Sequence, residues 1–263
     1  MKGNTIVVPV RSVVGQTSET RPDLLAVEEP LAIVVNGQTL ALTMRTPGHD
    51  SDLARGYLYT EGVIDAADQI LSTASEANTI LVELEPGTDI EQVRLERSGY
   101  VNSSCGICGK TSIQALETLI RGPLPPDHPR FAASLIHTLP ALLRQSQQVF
   151  DRTGGLHAAA LFSTSGTLLA VREDVGRHNA VDKLIGAMLL QPDQARRESL
   201  MLVSGRAGFE LVQKALAAGI PIMAAVGAPS SLAVAAALRF GMTLLGFVRD
   251  DRFNVYSGAS RIE

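Results

Sequence analysis

The sequence predicts an α/β protein, in which helices cover both faces of a largely parallel sheet in a C-terminal domain and a smaller α+β domain comes before it. Three observations carry that prediction. Residues 200–248 alternate short apolar runs with helical segments, Asn36-Gly37 separates two alternating stretches, and residues 121–130, RGPLPPDHPR, hold four of the chain's thirteen prolines. Proline at that density fixes an extended linker. The expected division is therefore 1–121, a linker at 122–130, and 131–263. At 263 residues, 45% hydrophobic and 19% charged, the chain can bury a core without staples, which excludes a disordered or fibrous protein.

Each element follows from local pattern. EPLAIVVNGQTLALTMRT alternates around Asn36-Gly37, the pair that most readily adopts both positive φ angles of a two-residue hairpin turn. Asp50 or Ser51 is placed to cap a helix through Leu58, and Thr79 to Leu84 reads as a strand. Thr111 with Gln114 fits a capping box for a helix through Ile120. Beyond the linker, Leu135, Ile136, Leu139, Leu142, Leu143, Ser146 and Val149 share a helical face, which Pro140 must start or kink. His157 to Phe162 and Thr167 to Val171 form a hairpin about Ser165-Gly166, and Asn179 to Leu190 a helix. Then come strand Leu200 to Val203, helix Gly208 to Ala218, strand Ile220 to Val226, helix Ser230 to Phe240 and strand Met242 to Val248. Such a βαβαβ run requires parallel strands with right-handed crossovers.

Charge and hydropathy narrow the function classes. A formal net charge of −4 argues against a general nucleic-acid or acidic-membrane binder, so an anionic ligand must be held locally. The N-terminus has one early Lys and an apolar run broken by Pro9, which makes a poor signal peptide. Residues 215–238 carry no charge, yet Gly219, Pro221, Gly227, Pro229, Ser230 and Ser231 divide them into helix end, strand, turn and helix. The expectation is a cytoplasmic protein with no membrane span.

Both cysteines of the chain fall in one tetrapeptide, Cys105-Gly-Ile-Cys108. Four readings compete there. Structural zinc needs four Cys or His ligands, and His49, His128, His137, His157 and His178 are scattered, so no metal site is expected. A redox pair is favoured by CxxC near a helix start but lacks the surrounding thioredoxin pattern. Two idle cysteines would be odd in a chain that uses thiols nowhere else. The fourth reading is a persulfide carrier, which needs a reachable thiolate and a second thiol to assist. Lys110 is then either a cation favouring that thiolate or a solvated surface residue. A Walker loop is excluded, because Ser104 stands where its first glycine belongs.

Two further constellations lie in the C-terminal half. Ser204-Gly205-Arg206-Ala207-Gly208 and Gly227-Ala228-Pro229-Ser230-Ser231 each follow a strand and open a helix, so adjacent helix N-termini with small residues come together where an anion can sit. Glycine-rich turns also serve simple connection. After the last strand, Arg249 and Arg252 suit phosphate, or an ion-paired turn. Arg177 and His178, beside Asp174, either hold polar ligand groups or cap and pair locally. A zinc deaminase is excluded, since His157 is followed by alanines and no cysteine follows Cys108.

RTPGHDSDLARGYLYTEGVI, SSCGICGK, GGLHAAAL, REDVGRHNAVDKLIG, SGRAGFELVQKA and GFVRDDRFNVYS, spread over residues 27–260, together resemble the FdhD/NarQ family of formate dehydrogenase accessory sulfurtransferases. The resemblance implies a homodimer with a cytidine-deaminase-like C-terminal domain that lacks the zinc site. It also implies sulfur transfer from a cysteine desulfurase to the molybdenum cofactor of formate dehydrogenase, bis-molybdopterin guanine dinucleotide. Cys105 then matches the persulfide cysteine and Cys108 its partner thiol. Phe247, Val248, Arg249, Asp250, Asp251 and Arg252 match the segment assigned to the cofactor, although Asp250-Asp251 would repel phosphate unless turned away. Ser204, Gly205, Arg206, Gly227 and His178 become candidate guanine nucleotide contacts, with guanosine diphosphate as the surrogate ligand.

Overall fold

The computed structural model describes residues 3–86, 116, 117 and 119–263. It opens with a two-stranded ribbon, β1 (Thr5–Val14) and β2 (Thr17–Ala26), which is absent from the expectations drawn from sequence, where Pro9 reads as a break. Pro9 and Pro22 face each other in register. A ribbon strand has one unpaired edge, where a residue without an N–H is tolerated.

A four-stranded sheet follows, in the order β4-β3-β6-β5. Its first hairpin joins β3 (Glu29–Val35) to β4 (Gln38–Arg45) through Asn36 (φ 47°) and Gly37 (φ 79°), the two positive angles expected. Helix α1 (Asp50–Thr60) comes next, and neither Asp50 nor Ser51 is its cap. His49 occupies that position in the left-handed region without a side-chain capping bond, and the Asp50 carboxylate is taken by Arg45 at 3.0 Å. Strand β5 (Ile70–Glu76), polar and at the sheet edge, was not expected; β6 (Thr79–Leu84) has the bounds read from the sequence. The helix proposed from Thr111 lies mostly outside the described residues.

The C-terminal half begins with α2 (Ala133–Ser146), which holds Pro140 inside and buries Ile136, Leu139 and Leu143, and α3 (Gln148–Thr153). Next come the hairpin β7 (His157–Ser163) and β8 (Leu168–Asp174), helix α4 (Arg177–Met188) and the short α5 (Asp193–Arg197). The alternating run is β9 (Ser199–Val203), α6 (Phe209–Ala217), β10 (Ile222–Ala225), α7 (Ser231–Arg239) and β11 (Thr243–Gly246). A closing strand, β12 (Asn254–Ser257), completes a six-stranded sheet ordered β12-β11-β10-β9-β7-β8.

That sheet is mixed where a largely parallel one was expected. β9, β10 and β11 run parallel, while β7, β8 and β12 join antiparallel. Short turns before β8 and β12 leave no room for the crossover that parallel pairing needs. Both faces of the sheet are covered, as the continuous apolar strands require. Ala159, Leu161, Met201, Val203, Met223 and Ala225 point to the side of α4 and α6, and Ala158, Ala160, Phe162, Leu200, Leu202 and Ile222 to the side of α2. The first cluster continues through α1 to Leu31, Ile33, Ile80 and Val82 of the four-stranded sheet, so one core joins the two halves of the chain. The proline-rich segment is fixed to this body by buried Arg261, which donates to the carbonyls of Pro125 and His128.

Candidate functional site

The C-terminal ends of β9, β10 and β11 carry three turns that hydrogen-bond to one another. Gly227 N–H donates to the Gly205 carbonyl at 2.9 Å, Ala207 N–H to Ala228 at 3.1 Å, and Phe247 N–H to Gly227 at 3.1 Å. The contact is close enough to need glycine: a Cβ on Gly227 would sit 2.9 Å from the Gly205 oxygen and 3.0 Å from the Arg206 Cα. Ser204 extends the β9–β7 pairing, its Oγ accepting the Ala158 N–H at 2.9 Å, and Ser230 Oγ accepts from Ala233 as the N-cap of α7. The two glycine-rich turns are thus side by side, as expected, although several of their N–H groups serve each other. Arg206 is exposed at the same edge.

The third turn spans Phe247 to Arg252. Phe247 is held at φ 55° and is 41% exposed, whereas the Val248 side chain is fully buried and packs in the core. A left-handed residue with a side chain is uncommon and persists only where its surroundings enforce it. Here the enforcing bonds run to Gly227 and from Val248 N–H to Ala225 at 3.1 Å. Arg249 Nη1 donates to the carbonyls of Val226 and Val248 at 2.7 and 2.8 Å, so part of its fork shapes the turn. Asp250, Asp251 and Arg252 are exposed.

His178, in the first turn of α4, lies 2.8 Å from Glu210 in the first turn of α6. Its partner is therefore not Asp174, the residue beside it in sequence. Asp174 is buried against Lys183 at 2.7 Å and accepts N–H bonds from Thr46, Gly176 and Asn179, which fixes the start of α4. His157, which the sequence gives no role, lies beside the first of these turns: a Cβ on Gly205 would be 3.3 Å from its Nδ1. Burial, then the Arg177 and His178 charges, hold its pKa below the usual 6.5, so the ring is neutral at pH 7.

Cys105, Cys108 and Lys110 lie outside the described residues. Among the described residues no group of His, Cys, Asp and Glu is arranged to hold a metal ion, and no helix is long and apolar enough to cross a membrane. A cavity of about 550 Å³ opens at the opposite end of the strands, beside Arg121, Arg196 and Gly219. Arg121 there donates to the carbonyls of Tyr59, Ile64 and Ala217, which leaves it little to offer a ligand. The carboxyl ends of the parallel strands are the better site.

The model of the FdhD/NarQ family matches residues 26–263, which leaves out the ribbon up to its last residue. The chain belongs to the FdhD/NarQ family. It is 52% identical over 254 residues to the sulfur carrier protein FdhD of Streptomyces coelicolor, covering 92% of this chain and 90% of that one. To the protein of the same name in Sulfurisphaera tokodaii it is 43% identical, covering 97% and 98%. A crystal structure assigned as a formate dehydrogenase accessory protein from Desulfotalea psychrophila superposes with a TM-score of 0.80 at 25% identity, covering 99% of this chain and all of that one.

Proposed function

We propose that this protein is a cytoplasmic sulfur carrier that serves formate dehydrogenase. Its membership of a family whose relatives are named sulfur carrier proteins carries the reading. The Cys105 thiolate attacks the sulfane sulfur of a cysteine desulfurase persulfide, forming the Cys105 persulfide and releasing the desulfurase thiolate. The acceptor is bis-molybdopterin guanine dinucleotide, held at the ends of β9, β10 and β11 as substrate. Cys108 then attacks the inner sulfur of Cys105; a disulfide forms, and the terminal sulfur leaves as sulfide for molybdenum.

In this reading residues 1–121 carry the sulfur, 122–130 connect, and 131–263 bind the cofactor in a cytidine-deaminase-like domain without zinc, within a homodimer. Arg206 and Arg252, exposed beside the turns, supply charge for the diphosphate. Incubation with desulfurase and cysteine, followed by mass spectrometry, is expected to find one added sulfur on Cys105. The Cys105→Ala protein is expected not to activate apo-formate dehydrogenase. Full activation by that variant would leave a cofactor-binding chaperone with no sulfur relay.

A further inference from the structure

The β1–β2 ribbon, with ten residues in each strand, is about 34 Å long. Its base meets the body, where β2 packs on α3 and a Cβ on Gly155 would lie 3.5 Å from that of Ala26. Beyond the base, one face carries Val7, Pro9, Arg11 and Val13 of β1 beside Pro22 and Leu24 of β2. Val7 and Val13 are 63% and 65% exposed, and Arg11, whose guanidinium donates to Ser18 Oγ at 3.0 Å, is the one charged residue of that face. A two-stranded ribbon with a bare face is marginal in water. Its edges are poor places to add a strand, because Pro9 and Pro22 each lack a donor. The need is for cover over the face.

The same chain has a second bare apolar face. The four-stranded sheet turns Leu31, Ile33, Ile80 and Val82 inward to the core shared with α1. Its other side presents Leu42 and Met44 of β4, Ala32 and Val34 of β3, and Leu81 of β6. Leu42 and Met44 are 71% and 47% exposed, so among the described residues nothing covers that side of β4. The charged residues on this side are two carboxylates, Glu76 and Glu83, both exposed. An apolar ribbon face with one cation thus matches an apolar sheet face with two carboxylates, and within a single chain neither covers the other. Exposed apolar patches of this kind mark protein contacts.

We propose that two copies of this chain exchange their ribbons. The Val7–Val13 face of each lies on the Leu42–Met44 face of the other, about a two-fold axis, with Arg11 turned toward Glu76 and Glu83. Such a contact uses the same surfaces on both copies and closes at two. Two ribbon faces and two sheet faces together bury about 1,300 Å², within the ~1,200–2,000 Å² of stable interfaces. The exchange rests on the homodimer of the reading above and is independent of its sulfur chemistry.

Sedimentation velocity of the full chain over a concentration series tests this. Wild type is expected to be a dimer. Val13→Asp on the ribbon and Leu42→Asp on the sheet lie at positions exposed within one chain, outside its core. Each is expected to raise the dimer dissociation constant about tenfold or more. An equimolar mixture of the two variants still pairs one intact ribbon with one intact sheet face in each mixed dimer, so it is expected to associate more tightly than either variant alone. A mixture no tighter than its components overturns the exchange. A wild-type dimer that either substitution leaves unchanged also overturns it, while the homodimer stands on another surface. A wild type that stays monomeric removes the homodimer as well.

Discussion

Asp52 shows how one side chain can fasten the two halves of the chain. It sits on α1, and its carboxylate receives Arg172 of β8 at 2.7 Å and Arg55 of its own helix at 3.1 Å. Burial raises the cost of the charge, but the bonds from His49 and Arg172 and the positive charges of Arg172 and Arg55 outweigh it, and the pKa falls from 3.8 to about 2. The folded state thus binds this proton less readily than the unfolded chain does. The resulting stability is present in full above about pH 4 and is lost as pH falls toward 2. Asp52→Asn is expected to destabilise the protein by about 1–2 kcal/mol at pH 7, after allowing for solvent screening. Urea titrations of wild type and variant should converge between pH 4 and pH 2; a difference constant with pH would mean the charge is not the cause.

At the scale of elements, the contact of α1 with α4 is set by two glycines. A Cβ on Gly186 would lie 1.9 Å from the Asp52 carbonyl oxygen, and one on Gly56 would lie 1.8 Å from that of Asp182. Neither obstacle is a flexible side chain, so the helices would have to separate. Gly186→Ala is expected to cost about 3 kcal/mol or more, lowering Tm by on the order of 10 °C. Gly208→Ala, with φ −76° and nothing within 4 Å of its Cβ, should change Tm little. Equal effects in the two variants would show that backbone approach is not what the α1–α4 glycine enforces. These two glycines are absent from the expectations drawn from sequence, although a glycine inside a helical segment such as ARGYLY or LIGAML, where it otherwise weakens the helix, is the signal that could have found the approach. Asn36-Gly37 and the β9–β11 alternation were legible, because they rest on neighbours in sequence. The ribbon strands were hidden by prolines whose missing N–H costs nothing at an open edge. Tertiary pairing hid the rest. His178 finds Glu210 across two helix starts, and Gln147 and His157 come to line one cavity only once α2 and α3 close over β7. The strand-end turns were legible as a pair, while the cavity of about 440 Å³ next to them was not.

Across the whole molecule, the proline-rich segment suggests two independent units, yet the interior joins them. Lys214 of α6 is buried between Asp182 of α4 at 2.9 Å and Glu61, just past α1, at 3.1 Å, and it donates to Thr60 of α1 at 3.0 Å. Burial opposes the charge on Lys214, but Asp182 and Glu61 raise its pKa, so it stays an ammonium held by partners from both halves. Lys183 does the same farther along α4, joining Asp174 at 2.7 Å to the Thr46 carbonyl at 2.8 Å. If residues 29–84 opened while the rest stayed folded, Lys214 and Lys183 would each lose a partner, and the apolar face of α4 would lose α1. Breaking one buried pair costs about 3–5 kcal/mol, comparable with half the total stability of an ordinary domain. Partial opening would thus bear a large part of that cost while releasing the conformational entropy of only one half of the chain, and the two halves should melt together. Scanning calorimetry is expected to give one transition with equal calorimetric and van't Hoff enthalpies, and amides of β3 and β6 should exchange through the same global opening as those of β9 and β10. Two resolved transitions, or a β3–β6 sheet exchanging several kcal/mol more easily than β9, would restore the two-unit picture and allow the halves to move apart during the proposed sulfur transfer.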